Sequence, residues 1–285
     1  MIPFTKMQGI GNDFIMLDTL RDGLPEADLA ELSRLVNDRR FGIGGDGLIL
    51  IEKGNDAPYQ MRMFNPDGSE SEMCGNGIRC FAKLLRDHGH TVEPSVDVET
   101  GAGTLTLEYI PDGRIKVNMG PARILRKEIP MLGAPDETFI DQPITESLKG
   151  TAVSMGNPHV VIFVEDVSAI DLKKIGPELE HNELFPKRTN VHFVQVVGRD
   201  RLIQRTWERG AGITLACGTG ACSVCVAGFL TGRSDRTVLI HLPGGDLEID
   251  YREDRIVFMT GPAETVFNGE FSLKEPRAPE TGALN

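Results

Sequence analysis

Two cysteines of this chain stand in the same local setting. Cys74 lies in SEMCGNGIRC (71–80) and Cys217 in TLACGTGACSVC (214–225), each followed directly by Gly-polar-Gly. The run after each cysteine reads as a helix. Both thiols then sit at a helix start, where unbonded N–H groups and the positive end of the helix dipole meet. That setting is expected to lower a thiol's pKa from about 8.5, and the free amides can hold a carboxylate. Gly75, Gly77, Gly218 and Gly220 let a ligand come close to the backbone. A thiol beside a carboxylate cradle suits removal of a proton from the carbon next to that carboxylate, because the cradle stabilises charge spreading onto it. Two such thiols on opposite sides of one carbon would invert it: one, as thiolate, takes a proton from one face, and the other, as thiol, returns a proton to the opposite face. This chemistry needs no pyridoxal cofactor in principle, and no pyridoxal-lysine motif is evident; no metal is expected.

Other residues carry competing readings. Cys80, Cys222 and Cys225 fall among small apolar helix formers and read as packing. Cys222-x-x-Cys225 has redox spacing without a surrounding thioredoxin-like βαβ pattern, and one CxxC alone does not make a closed zinc site. Five cysteines, an odd number, with no secretion signal speak against a disulfide framework. Gly42–Gly47 (GIGGDG) matches G-x-G-x-x-G literally, but it follows a helix and precedes the strand-like LILIEK. That is the reverse of the dinucleotide-binding context, so it reads as a turn into a strand. His159, in GNPHVVIF, reads equally as a satisfied histidine at a strand start or as a catalytic group. Glu208-Arg209, in TWERGAG, closes a strand before a glycine loop.

The elements that must position these residues come in duplicate. SVDVETGAGTLTLEYIPDGRIKVNMGPA (95–122) aligns with TVLIHLPGGDLEIDYREDRIVFMTGPA (237–263), matching Gly103 to Gly245, Tyr109 to Tyr251, Ile115 to Ile256 and Gly120-Pro121-Ala122 to Gly261-Pro262-Ala263. At nearly the same offset Cys74 matches Cys217, Asn12 matches Asn157 and Asn65 matches Glu208. Alternation predicts strands at 59–65, in TLTLEYI, RIKVNMG, VHFVQVV, LEIDY and RIVFM, with PDG and GG turns between them. Helices are predicted at 27–38, with Leu29, Leu32, Leu35 and Val36 on one face, at 76–89 ending at Gly89, and at 220–232 ending at Gly232. The last is apolar almost all round and should be buried. The expected fold class is α+β: two pseudo-symmetric lobes, each a curved, mostly antiparallel β-layer wrapped around a central helix, with the active site in the cleft between them. The lobes are placed at 1–121 and 122–261, with a last strand near 262–272 free to return to the first lobe and a loose polar tail over 274–285.

Composition bounds the function class. At 285 residues, 40% hydrophobic, 25% charged and net charge −12, the chain suits a globular protein and argues against a nucleic-acid surface. No run approaches the roughly 20 apolar residues of a membrane span, and the start is not framed like a signal peptide. A cytoplasmic protein with no membrane or nucleic-acid partner is expected.

Taken together, KMQGIGNDF, FNPDGSExxxCGNGIRC, SMGNPH, RTNVHF, ERGAGxTxACGTGAC, LPGG and MTGPA resemble the diaminopimelate epimerase family over nearly the whole chain. The resemblance implies a cofactor-independent, usually homodimeric enzyme that interconverts LL- and meso-2,6-diaminopimelate on the way to lysine and, in many bacteria, peptidoglycan. It implies that Cys74 and Cys217 are the acid/base pair, His159 supporting Cys74 and Glu208 supporting Cys217. Amides around Gly75, Asn76, Gly218 and Thr219 would hold the carboxylate on the reacting carbon, while Asn12, Asn65, Asn157, Asn190 and Arg209 would line the cleft and bind the distal end. Two positions depart from the family's pattern: Gly47 stands where glutamine is common, and Ile213 where glutamate is common. The rival readings are an isomerase of another amino acid on the same scaffold and a thiol redox or sensor protein.

Overall fold

In the computed structural model, which describes residues 1–273, the first half of the chain lays down eight strands. They are β1 (Ile2–Gly9), β2 (Asn12–Asp18), β3 (Gly47–Lys53), β4 (Tyr59–Phe64), β5 (Glu70–Ser71), β6 (Ser95–Thr100), β7 (Gly103–Tyr109) and β8 (Ile115–Pro121). Between them run a short helix α1 (Thr19–Asp22), α2 (Leu29–Asn37) and the central helix α3 (Gly75–Asp87). The second half adds β9 (Gln142–Pro143), β10 (Lys149–Ser154), β11 (Pro158–Val164), β12 (Asn190–Gly198), β13 (Arg201–Glu208), β14 (Gly212–Thr214), β15 (Thr237–Leu242), β16 (Gly245–Tyr251), β17 (Ile256–Gly261) and β18 (Glu264–Phe271). Its helices are α4 (Leu172–Glu180) and the central α5 (Gly218–Leu230). The tail expected over 274–285 lies outside the described residues.

The duplication reappears in the pairing. In the first half β1/β2 is antiparallel, β2/β3 parallel, β3/β4 and β4/β5 antiparallel, β4/β6 parallel, and β6/β7 and β7/β8 antiparallel. From β10 to β17 the same orientations recur in the same order. The halves meet where β8 pairs antiparallel with β17, Val117 opposite Met259 and Asn118 opposite Phe258. In the sequence alignment Val117 matches Phe258 and Asn118 matches Met259, so the pseudo-twofold axis passes between these pairs. β18 runs back onto β1, Ile2 opposite Phe271.

Each curved layer wraps a 13-residue helix, α3 against β1, β2 and β8, and α5 against β10, β11 and β16. Both end as expected. Gly89 and Gly232 take φ +76° and +71°, and the next amides close back, His90 N to Leu85 O and Arg233 N to Gly228 O, each at 2.9 Å. One apolar core runs through both halves and holds Phe14, Phe81, Val224 and Leu247. Smaller cores lie outside the layers, under α2 in the first half and under α4 in the second. Because α2 sits on an outer face, its apolar stripe is narrower than the sequence suggests: Leu32 and Val36 are buried, but Leu35 is 47% exposed. Among the described residues no helix is long and apolar enough to cross a membrane.

Candidate active site

Cys74 and Cys217 occupy the same backbone position twice. Each is the residue before a central helix, extended at φ −135°, and each carbonyl accepts the first helical bond at 2.9 Å, from Ile78 and Ala221 respectively. Neither helix has a side-chain cap, which leaves the amides of the first turns open. The two first turns abut. A Cβ built on Gly75 would stand 3.9 Å from Gly218 Cα, at van der Waals contact, so the two helix starts lie side by side, and it would crowd Met259 Cε at 3.0 Å. The cleft above them has a volume of about 820 Å³ and is lined from both halves.

Most residues singled out from sequence line this cleft: Cys74, Cys217, Glu208, Asn12, Asn65, Gly75, Asn76, Asn157, Arg209, Gly218 and Thr219. Asn190 and His159 do not. Asn190 is buried behind the wall, donating to Pro158 O at 2.9 Å and accepting from the Arg209 amide at 3.0 Å, so it sets the loop that carries Arg209. His159 is fully buried in parallel strand β11, next to β12. Its Nε2 lies 2.8 Å from Asn157 Oδ1 and its Nδ1 2.9 Å from His192 Nε2. His192 Nδ1 in turn meets Gln204 Nε2 at 3.1 Å and Thr206 Oγ1 at 3.0 Å. These contacts form one consistent chain of neutral groups: Gln204 donates to His192, His192 to His159, and His159 to Asn157. His159 and His192 both come within 4.8 Å of Cys217 Sγ. The expected partnership of His159 with Cys74 is therefore not what the geometry presents; the histidine stands on the Cys217 side, because the parallel pairing of β11 with β12 puts both imidazoles behind α5.

Burial dominates the electrostatics. It pushes the Cys74 thiol above its ordinary value; the amides of Gly77 and Asn76 pull it down, and Glu208 adds to the rise. Cys217 is raised well above 9.0, first by burial and then by Glu208. The lowering expected from the helix starts is thus outweighed, since a dipole of about half a charge does not compensate removal of a thiolate from water. Burial likewise raises Glu208 above 4.5, with Thr214 and Cys217 alongside pulling the other way. His159 falls well below 6.5 and His192 to about 3, both through burial.

Asn12 links the first half's wall together. Its Nδ2 donates to Asp46 at 2.6 Å, and its Oδ1 accepts from Asn76 Nδ2 at 3.2 Å and from the Cys74 thiol at 3.7 Å. Asp46 is held by Arg39 at 2.8 Å. Asp46, Arg39 and His192 were not singled out from sequence; Asp46 could have been, since it lies in the glycine turn that leads into β3. That turn sits between α2 and β3, as its order in the chain predicts. Gly47 does not line the cleft, and a Cβ there would meet Met63 Cε at 2.9 Å, whereas Ile213 lies exposed at the rim. Cys80, Cys222 and Cys225 are buried free thiols in the core, as packing predicts. Among the described residues two clusters have metal-binding side chains in reach of one another, His159/His192/Cys217 and Asp18/His88/His90. In the second, both imidazoles meet Asp18 Oδ2 at 2.7 Å, so hydrogen bonding already accounts for the donors.

Comparison with known proteins follows the same outline. A family model described as diaminopimelate epimerase matches residues 4–125 and 151–266. The chain is 50% identical over 278 residues to a diaminopimelate epimerase of Moorella thermoacetica, covering 95% of this chain and 99% of that one. It is 53% identical over 277 residues to diaminopimelate epimerase 1 of a Nostoc species, covering 94% and 99%. Among solved structures, a PhzF-family phenazine biosynthesis protein of Bacillus anthracis superposes with a TM-score of 0.68 at 19% identity, over 95% of this chain and 99% of that one. A hydroxyproline epimerase of Agrobacterium vitis superposes at 0.65 and 16%, over 94% and 90%. At such identities the likeness to solved structures shows the two-lobe fold alone.

Proposed function

Since the chain belongs to the diaminopimelate epimerase family, we propose that Cys74 and Cys217 are the two acid/base groups that carry its reaction. The activity is interconversion of LL- and meso-2,6-diaminopimelate in lysine biosynthesis. The observation that carries the residue assignment is the meeting of two uncapped helix starts, each preceded by a cysteine, in one cleft. The α-carboxylate of the reacting centre lies across the first-turn amides of α3 and α5, and the α-carbon lies between the two sulfurs. In one direction a thiolate breaks the C–H bond and takes the proton. Charge spreads onto the carboxylate, and the opposite thiol delivers its proton to the other face. The enzyme is left with its thiol and thiolate exchanged, ready for the reverse reaction.

Glu208 sits against Cys217 and serves as the carboxylate that draws off its proton. His159, neutral and bonded to Asn157, holds that amide toward the substrate. Arg209, exposed on its loop, closes on the distal carboxylate with a bidentate grip, with Asn65 and Asn157 beside it. The lobe boundary near residue 121, with β18 counted to the first lobe, belongs to the same reading. So do a homodimer, for which exposed Val266 and Phe267 on edge strand β18 are support, and a cytoplasmic location. Sedimentation velocity and cell fractionation test these two.

The direct test is incubation of the reduced enzyme with LL-diaminopimelate in D2O, followed by NMR of the α-protons. Deuterium should enter one centre as meso product appears. Cys74→Ala and Cys217→Ala should each lower turnover about 10²–10⁴-fold, the usual worth of a general acid or base. Retention of full turnover by either variant would remove the two-thiol mechanism.

A further inference from the structure

Among the described residues Arg79 is the largest fully buried side chain, with none of its surface exposed, and it forms no ion pair with a carboxylate there. Its Nε donates to Pro262 O at 3.1 Å, and Nη1 donates to Gly75 O at 3.0 Å and touches Met259 Sδ at 3.7 Å. Nη2 has no partner at all. The slot that holds this group is built from glycines: a Cβ at Gly9 would stand 3.1 Å from Nη2, and one at Gly261 3.1 Å from Nε.

A guanidinium stays charged at any ordinary pH, and burying it without a counter-ion is costly. The ionisable groups that face it are the thiols of Cys80, Cys74 and Cys222. Cys80 and Cys222 are sealed in the core, so Cys74 is the one of these three that lines the cleft. The other charged group acting on Cys74 is Glu208 at the end of β13, which opposes its ionisation. Negative charge must nevertheless collect at this helix start, on the thiolate and on the substrate carboxylate. Arg79 lies one turn below it and grips the carbonyl of its first residue.

We propose that Arg79 is a positioning residue acting through Cys74 and Gly75: its buried guanidinium is the internal counter-charge for the thiolate and carboxylate at the start of α3, and its bond to Gly75 O fixes the turn whose amides hold that carboxylate. The carboxylate half of this proposal rests on the two-thiol reading. The thiolate half does not, and it is testable in free enzyme.

The experiment compares the full-length reduced protein with Arg79→Gln and Arg79→Lys. Alkylation of Cys74 by iodoacetamide is followed across pH by peptide mass spectrometry, without substrate, and the pH profile of kcat/KM is recorded alongside. Arg79→Gln should move the Cys74 midpoint up by about one pH unit, a tenfold change in ionisation, and lower kcat/KM at neutral pH at least about tenfold. Arg79→Lys keeps the charge and should leave the midpoint near that of the parent. An unmoved midpoint in folded Arg79→Gln, or equal losses in both variants, would show a mere strut and overturn the proposal. Should Arg79→Gln not fold, Arg79→Lys carries the test alone: with the charge kept, the Cys74 midpoint should stay near the parent's, and a raised midpoint overturns the proposal. Because alkylation needs no substrate, failure of the diaminopimelate assignment would show in the D2O experiment and leave this result standing.

Discussion

The cysteines illustrate how a residue's setting divides into two opposed effects. The helix start favours a thiolate, and burial disfavours it; here burial wins at both sites. The sign of the pH dependence follows. A thiol with a raised pKa stays protonated until the pH passes that raised value, so the free enzyme holds little thiolate at neutral pH. The rate of kcat/KM should therefore climb as pH increases from neutral, and fall again only where the second thiol also ionises. A flat profile between pH 7 and the alkaline limit of stability would contradict this. Gly220 makes a sharper point at the same scale. A Cβ there would stand 2.3 Å from His192 Cε1 and 3.0 Å from Cys217 Sγ. Gly220→Ala should cost about 1–3 kcal/mol of stability through overpacking and depress turnover more than it changes KM, read by denaturant melts and steady-state kinetics.

Elements decide which residues can act together. Cys217 and His159 are far apart in the chain, but parallel pairing of β11 and β12 sets Val161 beside His192 and His159 beside Asn190, so the two imidazoles meet under α5. Burial keeps both neutral. The folded state holds His192 at about 3 against an ordinary value of 6.5. A group depressed on folding contributes stability above its unfolded value and loses it as pH falls toward its folded one. Below pH 6.5 the unfolded chain binds the proton that the folded chain refuses, and stability should drop by up to about 1.4 kcal/mol per pH unit for each such group. Urea unfolding of His192→Gln should show a slope between pH 6.5 and 4 that is shallower by roughly one proton; an unchanged slope would mean that His192 is charged in the native state.

At the scale of the whole molecule, the lobes meet at further places besides the β8/β17 seam and the helix starts. One is the tip of the β1–β2 hairpin. Ile10, at φ +48°, lies against the glycine turn before β16, where a Cβ on Gly244 would fall 1.9 Å from Ile10 O. Gly244→Ala must push the lobes apart at the cleft's rim. It should lower the unfolding midpoint and raise KM for diaminopimelate several-fold while sparing far-UV circular dichroism. A KM equal to the parent's would show that this contact does not shape the cleft.

Local chemistry was legible in the chain itself. The helix starts at Cys74 and Cys217, the stops at Gly89 and Gly232, the turn at GIGGDG and the repeat of the β-units depend on neighbours within a few residues or on one pattern used twice, and the sequence by itself determined them. It also allowed the paired cysteines to share a cleft, because a twofold brings equivalent positions of a duplicated unit together when they lie near its axis; the β8/β17 pairing is what places them there. What only the tertiary structure decided were quantities that depend on groups distant in the chain: that desolvation outweighs the helix dipole at both thiols, that His159 falls on the Cys217 side, that Asn190 stands behind the wall, and that Arg79 is buried in a glycine slot without a counter-ion. Burial and charge pairing are sums over everything that packs nearby. No window of sequence contains those sums until β8 meets β17 and the two helix starts abut.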